Sequence, residues 1–96
     1  MTDRELLELA AKAAGYDGLG MWDEKHGYLW DGEGWSFDPL RDDGDALRLA
    51  VKLEMDLSLT EFGAWVNDSI DCTDTDPYAA TRMAIVLAAA EIGRTM

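Results

Sequence analysis

Apolar residues recur at the helical spacing of three and four in three stretches of the chain. In the first stretch, Thr2 and Glu5 stand at the spacing of a capping box, and Gly15 can adopt the left-handed conformation that ends a helix. The second stretch begins near Asp42, where acidic residues favour the positive end of the helix dipole, and continues to Leu53. Both stretches predict amphipathic helices.

The third stretch predicts the last helix. Asp76 or Thr75 can cap its start, Pro77 suits its first position, and Gly93 is its predicted stop. Between residues 83 and 90 this helix is apolar on nearly every side, so it either lies between two layers of the domain or forms the seam of a homodimer. The residues expected to be buried are Met83, Ile85, Val86, Leu87 and Ile92.

Short β-prone segments between turn residues fill the rest of the chain. Residues 18–37 alternate aromatics with clusters of glycine and acid, which predicts a hairpin that Pro39 brings to an end. Residues 57–66 predict a second hairpin, and residues 67–76 predict an acidic loop. The connections are too short for parallel crossovers, so the predicted order α-β-β-α-β-β-α indicates an α+β domain with antiparallel hairpins packed against helices.

Length and composition fit one globular domain over residues 1–96. The chain is 48% hydrophobic and 29% charged, well away from the composition of disordered proteins. The single Cys72 cannot form an internal disulfide, and no basic and apolar leader opens the chain. The longest apolar run has eight residues, against about 20 for a membrane span. A cytoplasmic location is therefore expected.

The charge is strongly negative and unevenly spread. Twenty acidic residues stand against eight basic ones, for a net charge of −12, and sixteen of the acids but only four of the bases lie between residues 17 and 76. Such a surface repels phosphate backbones and anionic lipids, and it attracts basic proteins. Direct binding of nucleic acid or membrane is disfavoured.

No arrangement of residues points to catalysis or to a cofactor. The only histidine, His26, lies in a predicted turn, and Cys72 has Asp71 and Asp74 close by, where negative charge disfavours the reactive thiolate. Neither a nucleophile elbow nor a phosphate-binding loop is present. The sequence therefore predicts a protein that is not an enzyme, with no cofactor and no catalytic residue.

Two clusters of aspartates, at residues 42–45 and 71–76, each precede a predicted helix. Helix capping and the helix dipole explain much of both clusters. Binding of a divalent cation is an alternative, but the clusters lack the spacing and the terminal glutamate of a calcium loop, so no metal site is predicted.

Four tryptophans lie in the predicted β segments. An aromatic face of the core is the default interpretation, and an exposed patch that binds a partner is the alternative. These residues are Trp22, Trp30, Trp35 and Trp65.

The three helical stretches together resemble a known family. Residues 1–15 (MTDRELLELAAKAAG), 38–53 (DPLRDDGDALRLAVKL) and 76–93 (DPYAATRMAIVLAAAEIG) are similar to the small phage and prophage proteins of the phage ABA sandwich domain. The resemblance covers about half of the chain and is most specific at DDGDALRL, although Asp38 stands where the family pattern has asparagine. It implies a compact three-layer α/β/α sandwich and a bacteriophage origin, without an activity or catalytic residues.

The resemblance and the charge together suggest binding to a host protein. The first hypothesis is an accessory protein in the host cytoplasm that blocks or modulates a basic host protein or nucleoprotein complex, for example as an anti-CRISPR inhibitor that imitates nucleic acid. Alternatives are a phage structural or assembly protein that homo-oligomerises through its last helix and, with least support, an enzyme that uses a carboxylate pair. The candidate partner-binding residues are Asp42, Asp43, Asp45, Asp71, Asp74 and Asp76.

Overall fold

The computed structural model describes residues 2–16, 18–60, 63–66, 70–72 and 76–96, and for residues 58–60, 63–65 and 70–72 it describes the backbone alone. Within these residues the chain forms three helices and two antiparallel sheets of three strands each. In chain order the elements are α1 (Asp3–Ala14), β1 (Met21–Asp23), β2 (Tyr28–Trp30), β3 (Ser36–Phe37), α2 (Asp43–Lys52), β4 (Leu57–Thr60), β5 (Gly63–Val66), β6 (Ile70–Cys72) and α3 (Pro77–Arg94). The α+β class is as predicted.

Local hydrogen bonds set both ends of α1. The Thr2 hydroxyl accepts from the Glu5 backbone N–H at 3.2 Å, and the Glu5 carboxylate accepts from the Thr2 backbone N–H at 3.3 Å. The Thr2 backbone N–H and hydroxyl both donate to the Glu5 carboxylate and lower the pKa of Glu5. At the other end Gly15 has a φ of 74° and returns its N–H to carbonyls of the last turn. The predicted capping box and stop are confirmed.

The first sheet is a meander of β1, β2 and β3. The register pairs Trp22 with Leu29 and Leu29 with Phe37. Asp31 shapes the second turn, because its carboxylate accepts the backbone N–H groups of residues 33, 34 and 35 at 2.8 to 3.0 Å. These bonds lower the pKa of Asp31. The predicted hairpin is correct for β1 and β2, and β3 adds a strand to it.

The second sheet contains a strand that the sequence did not predict. The predicted hairpin is confirmed as β4 and β5, but β6 lies inside residues 67–76, which were predicted as a loop. That part of the prediction was wrong. Strand β6 has only three residues and is defined by its pairing with β5, where Val66 lies opposite Ile70 and Ala64 opposite Cys72. Val66 and Ile70 are only four residues apart in the chain, so the pairing is local; the prediction missed it because polar and acidic residue types, which are depleted in strands, dominate residues 67–76.

The core is built around α3, which contacts α1, α2, β5 and β6. Val86 is completely buried and Ile85 nearly so, whereas the other three residues expected to be buried, Met83, Leu87 and Ile92, are half-buried. Packing within the chain therefore covers Ile85 and Val86, and the predicted dimer seam stays a prediction. Elements of all three helices and both sheets contribute to one core cluster.

The start of α3 is as predicted and its end is not. Asp76 caps the helix and Pro77 occupies its first turn, but the helix continues through Gly93 to Arg94. Gly93 is buried against α1 instead of ending the helix. The predicted stop was wrong because glycine has two roles near a helix end. It can end the helix, or it can let a neighbouring helix pack closely, and the sequence does not distinguish the two.

Candidate protein-binding groove

Asp42 is the capping residue of α2. Its exposed carboxylate accepts the backbone N–H groups of Gly44 at 2.8 Å and Asp45 at 3.4 Å. These are donors that the first turn of a helix cannot satisfy internally. The acid is thus fixed in place by the helix that it caps.

Asp45 is held by bonds within the chain. Its side chain is 12% exposed, one carboxylate oxygen accepts the Asp38 backbone N–H at 2.9 Å, and the other lies 2.5 Å from the Arg48 guanidinium. The hydrogen bond that Arg48 donates to Asp45 raises the pKa of Arg48. Of the first aspartate cluster, Asp45 is therefore the member with the least carboxylate surface to offer a partner.

Asp43 joins α2 to α3. Its carboxylate lies 2.5 Å from the Arg82 guanidinium, whose Nε also donates to the Leu40 carbonyl at 2.9 Å. The Arg82 side chain is only 15% exposed, while that of Asp43 is 67% exposed. Arg82 therefore ties α3 to the start of α2 and leaves the Asp43 carboxylate at the surface.

The second aspartate cluster is described only in part. The exposed Asp76 accepts the Tyr78 backbone N–H at 3.0 Å as the cap of α3. The backbone of Asp71 lies in β6, and its side chain and all of Asp74 lie outside the described residues.

A groove of about 460 Å³ runs between the first halves of α2 and α3, which the Arg82 contacts hold side by side. Its volume is within the range of ligand pockets. The residues that line this α2/α3 groove are Asp43, Ala46, Leu47, Pro77, Tyr78, Thr81, Arg82 and Ile85.

The walls of the groove are mostly apolar and partly open to solvent. Leu47 is 57% exposed and Tyr78 67% exposed, while Ala46 and Ile85 are buried. The Thr81 hydroxyl donates to the Pro77 carbonyl at 2.7 Å, which satisfies its polar group within α3. An apolar side chain could therefore enter the groove without leaving the Thr81 hydroxyl unpaired.

Acidic residues stand at the starts of both helices that line this groove. Asp42 and Asp76 immediately precede the lining residues Asp43 and Pro77, at the starts of the two helices. We call Asp42, Asp43 and Asp76 the acidic mouth. Together with Asp45 these are four carboxylates, against the two guanidinium groups of Arg48 and Arg82, so negative charge remains in excess.

Asp38 has the most unfavourable environment among the carboxylates that the structure describes in this region. Its Oδ1 is buried without a hydrogen bond, and burial raises the pKa of Asp38, although the Arg41 guanidinium, 3.4 Å away, opposes the shift. The ionised Asp38 carboxylate therefore opposes folding. Asp38 belongs to the Asp38-Pro39 turn that leads into α2.

The remaining chemically active side chains do not form a catalytic or metal centre in the part of the chain that the structure describes. His26 Nδ1 lies 3.0 Å from an Asp23 carboxylate oxygen, and this hydrogen bond lowers the pKa of Asp23. The imidazole also stacks on Tyr28, with ring centres 5.6 Å apart. Over the described residues, no three His, Cys, Asp or Glu side chains come together as metal ligands.

The tryptophans divide between core and surface. Trp22 and Trp30 are half-buried, whereas Trp35 is 45% exposed and packs edge-on against Tyr16, with ring centres 5.3 Å apart. The side chain of Trp65 lies outside the described residues. The expected aromatic face of the core is therefore confirmed only in part. Trp35 fits the alternative of an exposed aromatic side chain better.

The comparisons with known proteins return no relative. No protein-family model, curated protein or solved structure matches this chain. The resemblance to the phage ABA sandwich domain stays a prediction. None of the described helices is long and apolar enough to cross a membrane.

The groove was not predicted from sequence, although a signal was present. On α2, residues 43, 46 and 47 share one face, and on α3 residues 78, 81, 82 and 85 do so. Arg82 begins the apolar stretch of α3 as the one charge between Asp76 and Glu91. An arginine beside an apolar stretch indicates that its guanidinium has a specific acceptor. Only the tertiary structure identifies the acceptors, which are the Leu40 carbonyl and the Asp43 carboxylate.

Proposed function

We propose that this protein acts by binding a basic protein and covering a surface that otherwise holds nucleic acid. The observation that carries the proposal is the net charge of −12, with sixteen of twenty acids between residues 17 and 76. Asp42 and Asp76 hold part of this charge at helix starts, where capping bonds fix the carboxylates in an exposed position. Long-range attraction between such a surface and a basic one accelerates encounter.

The kind of partner follows from the resemblance of the three helices to small phage proteins. A phage protein made in a host cell meets host defence and transcription complexes, whose nucleic-acid grooves are basic. The protein is accordingly proposed to be an accessory inhibitor or modulator of such a complex, with the three-layer α/β/α arrangement as its family fold.

The test starts with capture of partners from a bacterial host lysate at low and high salt. A basic partner is expected to be retained at low salt and released at high salt, because ions screen the contact. For the partner so obtained, the double variant Asp42→Asn with Asp76→Asn removes two charges but keeps an oxygen that can cap each helix. It is expected to slow association.

The matched control is the double variant Glu8→Gln with Glu91→Gln. It removes the same charge, but Glu91 lies fifteen residues along α3 from Asp76, about 20 Å away and beyond the screening length of about 10 Å at 0.1 M salt. Equal slowing of association by both double variants would rule out the acidic mouth as the binding site. An affinity that changes neither with salt nor with either variant would rule it out as well. Reversal of Asp71, Asp74 and Asp76 to lysine tests the second cluster in the same assay.

A further inference from the structure

We infer that the α2/α3 groove binds a basic amphipathic segment of a partner protein, with one large apolar side chain inserted between Leu47 and Tyr78 and with Lys or Arg residues against the acidic mouth. This inference rests on the proposed function and specifies how the partner is held.

The apolar part of the inference comes from exposure and shape. The described residues include six large hydrophobic side chains that are exposed, and two of them, Leu47 and Tyr78, lie on the same groove. Large exposed apolar side chains that share a concave surface are typical of interaction sites, and scattered single ones are not. The groove of about 460 Å³ has room for a leucine or phenylalanine side chain and its neighbours.

The rigidity of the groove favours specific binding. Both walls are helices, and Arg82 ties α3 to the Leu40 carbonyl and to Asp43 at the start of α2. Buried Ile85 and Ala46 place the floor on the hydrophobic core. The spacing between the walls is therefore set before a partner arrives, which reduces the entropy cost of binding.

The charge of the groove selects its occupant. Nucleic acid is disfavoured because its phosphates would approach the acidic mouth. A second copy of this chain is disfavoured because each copy has a net charge of −12 and two acidic mouths would repel each other. A segment with Lys or Arg on either side of an apolar anchor fits both features. The anchor packs against the apolar walls and the basic residues pair with the acidic mouth, as when a helix binds in a groove.

The experiment uses a fluorescently labelled synthetic peptide of about twelve residues, with leucines at helical spacing and lysines elsewhere, titrated with the intact protein at low salt. Leu47→Ala and Tyr78→Ala are each expected to weaken binding about tenfold, as central anchors of an interface do. Val51→Ala is the matched control, because Val51 is an equally exposed apolar residue on α2 outside the groove. It is expected to leave the affinity unchanged.

Two further peptides separate the apolar and the charged contributions. A peptide with alanine in place of every leucine and a peptide with glutamate in place of every lysine are both expected to lose binding. If Asp42→Asn with Asp76→Asn weakens the lysine and leucine peptide while Leu47→Ala and Tyr78→Ala do not, the electrostatic function survives and the groove inference is wrong.

Other outcomes also overturn the inference. Absence of binding by the lysine and leucine peptide, or equal weakening by Val51→Ala, means that the groove is not the site. A dimer in sedimentation experiments that Leu47→Ala dissociates makes a second copy the occupant. Binding of a labelled single-stranded oligonucleotide that Tyr78→Ala abolishes makes it a nucleic-acid site.

Discussion

Gly93 of α3 lies directly against the backbone of Leu9 in α1. A Cβ atom at position 93 would stand 2.8 Å from the Leu9 carbonyl carbon and closer still to the carbonyl oxygen. The absence of a side chain at this position therefore allows the two helices to approach at this point.

Gly93→Ala is expected to destabilise the protein by about 1–3 kcal/mol, because the overpacked helices must separate. This loss outweighs the gain in helix propensity of up to about 1 kcal/mol. Urea unfolding measures the change. Gly44→Ala in α2 is the matched control, since its Cβ would meet the flexible Arg48 side chain and the Asp42 carboxylate at 3.2 Å, and it is expected to be neutral or stabilising. Equal stability of Gly93→Ala and wild type would contradict the close approach.

Ile85→Asp is expected to unfold the domain. Ile85 is 3% exposed and lies on the side of α3 that faces α2, so an ionised carboxylate there would be buried and unpaired, at a cost of about 3–5 kcal/mol or more. Circular dichroism and thermal melting report the loss, and Glu91→Gln, at an exposed position of the same helix, is expected to melt as wild type does. A soluble Ile85→Asp protein with the wild-type melting temperature would disprove the burial.

Asp42→Ala is expected to lower the free energy of unfolding by about 1 kcal/mol, because two N–H groups of the first turn of α2 lose their acceptor. Asp42→Asn keeps an oxygen at the same place and is expected to unfold close to wild type. If both variants lose the same stability, the carboxylate acts through its charge on the helix dipole and the capping bonds contribute little.

Asp38→Asn is expected to change how stability depends on pH. Burial raises the pKa of Asp38 in the folded protein above its ordinary value. Above the raised pKa the carboxyl is ionised in both the folded and the unfolded protein, and its burial opposes folding. As the pH falls from that pKa towards the ordinary value, the folded protein takes up the proton first, and the free-energy cost of burying the charge is lost. The stability of Asp38→Asn relative to wild type is therefore expected to be most favourable at neutral pH and to decline in acid.

Asp31→Asn provides a control of opposite sign for that measurement. Three backbone N–H groups lower the pKa of Asp31, so its ionised form contributes stability above the ordinary pKa, and the contribution is lost as the pH falls through the lowered one. The stability of this variant relative to wild type is expected to improve in acid. Parallel pH profiles for the two variants would show that the environments of Asp38 and Asp31 do not differ in this way.

The candidate site was only partly predictable. The sequence identifies both aspartate clusters and their position before helices, because capping is decided within a few residues of the chain. It does not show that Asp45 is engaged by Arg48 and by the Asp38 backbone, or that Leu47 and Tyr78 share a groove. Those relationships join segments that are distant in the chain, and the same sequence pattern is compatible with either an exposed or an engaged carboxylate.

The sequence by itself determined the three helices, the capping box at Thr2, the start of α2 near Asp42, the start of α3 at Thr75 or Asp76, and the strands that end in local turns, because hydrophobic spacing and short-range hydrogen bonds decide these. The tertiary structure decided what depends on contacts between elements. Helix α3 continues past Gly93 because α1 packs against it, and the α2/α3 groove exists because Arg82 finds its acceptors at the start of α2. In each case the energy comes from groups brought together by the fold, which no window of neighbouring residues contains.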